Sequence, residues 1–171
     1  MDVMKAIMER RSIRSFVDKP ISDEDAIKIL NAGRWAPSGG NRQPWNFVYV
    51  NDPQTIRMIK NCSPGFYGDA PAAVVIGVES KVSSLDLLDV GFVAENMILA
   101  AQSLGIGSCP IASFIKDSIK MVIDAPEDWE PVLVISFGYI DKIPDPPKKK
   151  AYSEIVRLGT YDRRWENSEV R

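Results

Sequence analysis

The sequence predicts one domain, residues 1–171, in which helices and strands share a core. Three observations carry this. The chain has 171 residues, enough to bury a core of its own. Two unbroken β-type apolar runs, Ala72–Val78 and Val132-Leu133-Val134-Ile135, read as strands buried on both faces. Elsewhere, apolar residues recur at helical spacing, most plainly over Ser84–Leu104.

The elements follow in order. Asp2–Arg11 reads as a helix capped by Asp2, with Val3, Met4, Ile7 and Met8 on one face. It runs into Arg10-Arg11-Ser12-Ile13-Arg14. Two readings of that cluster stand side by side. Forked guanidiniums and a hydroxyl suit a phosphate. Arginines at a helix C-terminus also complement the helix dipole, although Arg14 falls beyond the helix end. Ser22 with Asp25 makes a capping box for a helix reaching Trp35, where Pro37 stops it.

Ala36–Trp45 is the most shaped loop of the chain. Pro37 and Pro44 fix their own φ, while Gly39 and Gly40 let a ligand approach the main chain. Ser38, Asn41 and Gln43 supply donors and acceptors. A plain two-glycine turn from helix to strand is the alternative. Strand Trp45–Val50 and helix Pro53–Lys60 follow. In the loop Cys62–Asp69, Phe66 and Tyr67 fit either a place near a ligand or, the favoured reading, core plugs.

Along Ser84–Leu104 the polar residues Asp86, Asp89, Asn96 and Ser103 fall on one narrow line. The apolar remainder marks a central core helix or one that faces another subunit. Gly105–Ser113 reads as a tight link followed by a Pro-bounded turn exposing backbone N–H groups, which suit an electron-rich ring atom. A helix over Lys116–Ile123 and a strand within Pro131–Ile140 complete the core. From Asp141 three prolines and Lys148-Lys149-Lys150 mark an extended arm, 141–171, whose lysines taken alone read as a solvated tail.

Composition removes several chemistries. A net charge of −2, with basic residues not interleaved with aromatics, argues against nucleic acid. The absence of histidine excludes a His general base, a Ser-His-Asp triad and His-ligated metals. Cys62 and Cys109 form no CxxC and are expected to be reduced thiols in a cytoplasmic protein. Early charges argue against a signal peptide, and no apolar run is long enough to span a bilayer.

Taken together, Arg10-Arg11-Ser12-Ile13-Arg14, Ala36–Trp45, Leu104–Pro110 after a long helix, and a Pro/Lys-rich arm resemble, in order and spacing, the FMN-dependent nitroreductase family in its shorter form. The similarity covers about Met4 to Leu158. It implies an α+β fold, with helices around a mainly antiparallel central sheet and an arm that wraps a partner subunit. It also implies a homodimer with FMN at the subunit interface.

By the same resemblance, Arg10, Arg11, Ser12 and Arg14 hold the FMN phosphate and ribityl chain. Pro37, Ser38, Gly39, Asn41 and Gln43 lie along the flavin from the other subunit. Pro110, Ile111, Ala112 and Ser113 cover the ring system, with the Ala112 N–H near N5. Lys149 or Lys150 completes the phosphate site. The implied activity is NAD(P)H-dependent ping-pong reduction of nitroaromatics, quinones or related electrophiles, with no side chain as obligatory acid or base. Related reactions on the same fold are dehalogenation, azoline oxidation and flavin fragmentation; a non-catalytic flavin-binding sensor or store is the rival from another class.

Overall fold

The structure is a computed structural model that describes residues 2–79 and 82–165; the last part of the arm, 166–171, lies outside the described residues. Ten elements lie along them: α1 (Val3–Glu9), α2 (Asp23–Arg34), β1 (Trp45–Val50), α3 (Pro53–Asn61), β2 (Ala72–Glu79), α4 (Ser84–Ser103), β3 (Ile106–Ile111), α5 (Lys116–Val122), β4 (Trp129–Tyr139) and α6 (Tyr152–Ile155). The four strands pair antiparallel in the order β1-β2-β4-β3. This is the α+β arrangement the resemblance implied.

The two apolar runs occupy the two central positions, because only a central strand needs apolar residues on both faces. From β2, Val74 and Ile76 point into a core with Ile29 of α2 and Val93 and Met97 of α4, while Ala73 and Val75 join Ile56 and Ile59 of α3 and Ile119 of α5. The sheet is thus sandwiched between α2/α4 and α3/α5. Each such fully buried Val or Ile contributes about 1.5–3 kcal/mol.

Helix starts follow local chemistry. Asp2 accepts from the amides of Met4 and Lys5, and Asp52 caps α3 through Thr55, with Pro53 in the first turn. The box expected at Ser22 forms by half: Ser22 Oγ accepts from Asp25 N at 3.2 Å, but Asp25 Oδ1 turns to Lys28 Nζ at 3.3 Å. A full box forms instead at Ser83 and Asp86, ahead of α4.

Two expectations need correction. Helix α1 stops at Glu9, because Arg10 is already extended at φ −55°, ψ 135°. Cys109-Pro110-Ile111 lies in strand β3 and the turn begins only at Ala112. Proline is tolerated there because β3 is an edge strand, where a missing N–H need not break a ladder. Of the polar line of α4, Asp86 and Asp89 are buried and Asn96 partly so, while Ser103 is exposed; among its apolar residues, Leu85, Leu87, Leu88 and Phe92 are exposed. Helix α1 likewise buries only Ala6 and leaves Val3, Met4, Ile7 and Met8 exposed. The arm is exposed and extended from Asp141 to Ala151, then makes one helical turn, α6.

Candidate functional site

The arginine segment is built onto the outer edge of β3. Ser12 bridges Ser108 in parallel register, and Ile13 N donates to Ser108 O at 2.9 Å. Ile13 is 1% exposed and anchors the segment. An extended chain pinned at Ile13 sends its neighbours Ser12 and Arg14 to the opposite side.

The three guanidiniums fare differently. Arg11 Nη1 donates to Met8 O at 2.9 Å and to Arg10 O at 2.8 Å, so Arg11 caps the carbonyls that end α1. The helix-end reading therefore holds for this arginine. Arg14 lies over the Tyr67 ring, 5.8 Å from its centroid, and beside the Cys109 thiol. Burial pushes that thiol up, against the pull of the Arg14 guanidinium. Arg10 is partly exposed. Of the two expected aromatic plugs, Phe66 is one, at 4% exposed. Tyr67 is exposed and stands next to Arg14 instead.

The end of β3 reaches the same neighbourhood. Pro110, Ala112 and Ser113 are exposed, and Ser113 packs against Gly65, two residues before Tyr67. Ile111 differs: its side chain is buried in the α3/α5 core, which leaves only its backbone for a ligand. Arg10–Arg14, Tyr67 and the β3 end thus form one polar edge whose cations and hydroxyls suit a phosphate.

The Pro37–Gln43 loop is elsewhere. It leads into β1, the opposite edge of the sheet, three strand spacings or about 14 Å from β3. It folds as a 3-10 turn over Gly39–Asn41, with Gly40, Asn41 and Gln43 at φ +59°, +56° and +50°. Ser38 Oγ accepts from Gln43 N at 3.0 Å and closes the loop on itself. Asn41 and Gln43 are exposed. Gly39 N donates to the Asp89 carboxylate at 3.2 and 3.3 Å, and Arg42 Nη2 reaches Asp86 Oδ1 at 3.2 Å. The Asp86 carboxyl is held below the usual carboxylate range, first by the Ser83 hydroxyl and amide and then by Arg42. Lys149 and Lys150 are exposed on the arm, and no hydrogen bond or ion pair ties either to another described residue.

The chain therefore brings together Arg10, Arg11, Ser12, Arg14 and Pro110–Ser113, and separately Pro37, Ser38, Gly39, Asn41 and Gln43. It does not bring these two groups together. Sequence reasoning missed Arg42, Asp86 and Asp89 and favoured a core plug for Tyr67; Arg42, inside the shaped loop, and Tyr67, an aromatic in a Pro/Gly loop, carried a local signal.

Comparison with known proteins bears on the sequence and the fold. The sequence profile described as the Nitroreductase family fits residues 7–63 and 58–139. A protein from Archaeoglobus fulgidus, provisionally named NADH dehydrogenase/NAD(P)H nitroreductase, is 37% identical over 151 residues, covering 81% of this chain and 85% of its own. A crystal structure provisionally given the same name, from Bacteroides thetaiotaomicron, superposes with a TM-score of 0.84 at 29% identity, covering 93% of this chain and 98% of its own. An FMN-dependent nitroreductase from Clostridium difficile R20291 superposes with a TM-score of 0.84 at 25% identity, over 92% and 99%. No helix of the described residues is long and apolar enough to cross a membrane. Similarity of this extent along most of the chain, on an antiparallel sheet with matching helices, makes the chain a member of the nitroreductase family of oxidoreductases.

Proposed function

We propose that the chain is an FMN-dependent NAD(P)H oxidoreductase that works as a homodimer and reduces nitroaromatics, quinones or related electrophiles. The observation that carries this reading is the separation of the two polar groups. The arginine segment and the Pro37–Gln43 loop line opposite edges of one sheet, so a single chain does not close both around one ligand. Two copies related by a twofold axis would bring one copy's loop to the other's arginines. The exposed apolar residues of α1 and α4, with Ile143, Ile155 and Leu158 on the arm, suit burial against that second copy.

The donor set fits FMN. Arg10 and Arg14 supply forked cations for the phosphate dianion, Ser12 adds a hydroxyl, and Lys149 or Lys150 adds a further charge. Arg11, half engaged with the end of α1, has N–H groups left to contribute. When bound, FMN supplies the redox chemistry, passing a hydride from NAD(P)H to the acceptor at one site used in turn. The protein's part is to hold and orient. The exposed main chain of Ala112 offers an N–H toward the ring, and Asn41 and Gln43 offer amides along it. With no histidine in the chain, no imidazole takes part in proton transfer.

The test is the visible absorption spectrum of the purified protein, before and after anaerobic addition of NADH or NADPH. Flavin bands that bleach with a nicotinamide are expected. A protein that stays colourless after incubation with FMN overturns the proposal.

A further inference from the structure

We infer that Asp89 is a positioning residue of the cofactor site, clamping the Ser38–Gln43 loop in the form that holds out Asn41 and Gln43. The inference rests on the FMN reading above.

A closed ring of contacts surrounds one residue, Gly39. Gly39 N donates to both oxygens of Asp89, at 3.2 and 3.3 Å. Gly39 O accepts from Arg42 Nε at 3.2 Å. Arg42 Nη2 then lies 3.8 Å from Asp89 Oδ2 and 3.2 Å from Asp86 Oδ1. Gly39 is thus gripped at its N–H by a carboxylate and at its C=O by the guanidinium that pairs with that carboxylate. Leu85 of the same helix lies directly beneath: a Cβ on residue 39 would come within 2.9 Å of Leu85 Cδ2.

Two features make this more than a routine contact. Asp89 is 1% exposed and sits inside α4, where aspartate is a poor helix former and a buried charge is costly without partners. The loop it holds is itself strained. Asn41 and Gln43, both non-glycine, occupy the left-handed region at φ +56° and +50°, and such conformations persist only when the surroundings hold them. The two amide side chains are exposed, and among the described residues the hydrogen bond they make is Gln43 Nε2 donating to Asn41 O at 3.2 Å. A buried charge and a strained loop that together hold out two amides are the arrangement expected of a preformed ligand wall.

The experiment uses the full-length protein and two variants, Asp89→Asn and Arg42→Gln. The first keeps size and one acceptor for Gly39 N–H but breaks the ion pair. The second, at an exposed residue, breaks the ring from its other end and guards against misfolding of the first. Two quantities are read: FMN affinity by quenching of flavin fluorescence, and exchange of the Gly39 amide proton in the unloaded protein. Expected are FMN binding weaker by about tenfold or more in both variants and faster Gly39 exchange, with the far-UV spectrum unchanged. Wild-type affinity in both variants overturns the inference, as does weaker binding with Gly39 exchange unchanged. If the wild type itself binds no FMN, the cofactor reading falls and this inference with it, while accelerated Gly39 exchange in the variants marks that failure as one of ligand and not of the loop's attachment.

Discussion

The two edges of the sheet hold their polar segments by different means. At the β3 edge the chain is made part of the sheet: Ile13 N bonds Ser108 O, and the Ile13 side chain is sunk in the molecule. At the β1 edge the loop lies outside the sheet and is held by charged side chains of α4, with three residues in the left-handed region. The first edge rests on apolar burial, which is insensitive to pH and salt. The second rests on ion pairs and hydrogen bonds, which are not. A site made from both would have one wall set by apolar burial and one set by charge.

This contrast can be broken most forcefully at Ile13. Ile13→Ala removes a fully buried anchor and is expected to cost about 2–5 kcal/mol, read as a lower urea midpoint. A loss below about 1 kcal/mol would mean that burial does not seat the arginine segment.

A smaller effect is expected with pH at the other edge. The Asp86 carboxyl is lowered in the folded state, so its contribution is present above the ordinary carboxylate value of 3.8 and disappears as pH falls through the folded value beneath it. Asp52 and Asp69 are lowered as well, so the comparison that isolates Asp86 is wild type against Asp86→Asn. The variant should be less stable at neutral pH by about 1 kcal/mol, the weight of a helix cap, and the gap should close in acid. A gap that stays constant down to pH 2 would contradict the pairing.

The smallest effect is expected at Asn41. Asn41→Gly relieves left-handed strain but adds freedom to the unfolded chain, so stability should move by less than about 1 kcal/mol. FMN affinity should fall all the same, because the amide is gone. Unchanged affinity would remove Asn41 from the site.

Much of this was legible in the sequence, for reasons that differ by residue. The arginine cluster and the Pro37–Gln43 loop stood out because their composition exceeds what a helix end or a turn requires. The central strands were plain because burial on both faces leaves an unbroken apolar run. Asp89 was not legible: on a helix a carboxylate reads as solvent-facing, and only the Gly39 amide, fifty residues away in sequence, turns it inward. The same reversal left the outward face of α4, with Leu85, Leu88 and Phe92, undecided between core and interface. Tyr67 read as a plug because aromatic residues in Pro/Gly loops often are; Arg14 above its ring decides otherwise. Pro110 read as a turn residue, since its tolerance within a strand depends on β3 being an edge.

The central claim is that each site takes its arginines from one chain and its loop from another. Complementation tests it most directly. One chain would carry Arg10→Ala and Arg14→Ala, the other Asn41→Ala and Gln43→Ala, each pair chosen to abolish FMN binding alone. Co-expressed under different affinity tags and purified as the hybrid, the two should recover about one FMN per dimer, because one site then combines both unaltered halves. A hybrid dimer that binds no FMN, while wild-type dimers bind it, would place both halves of each site on the same chain and contradict the account.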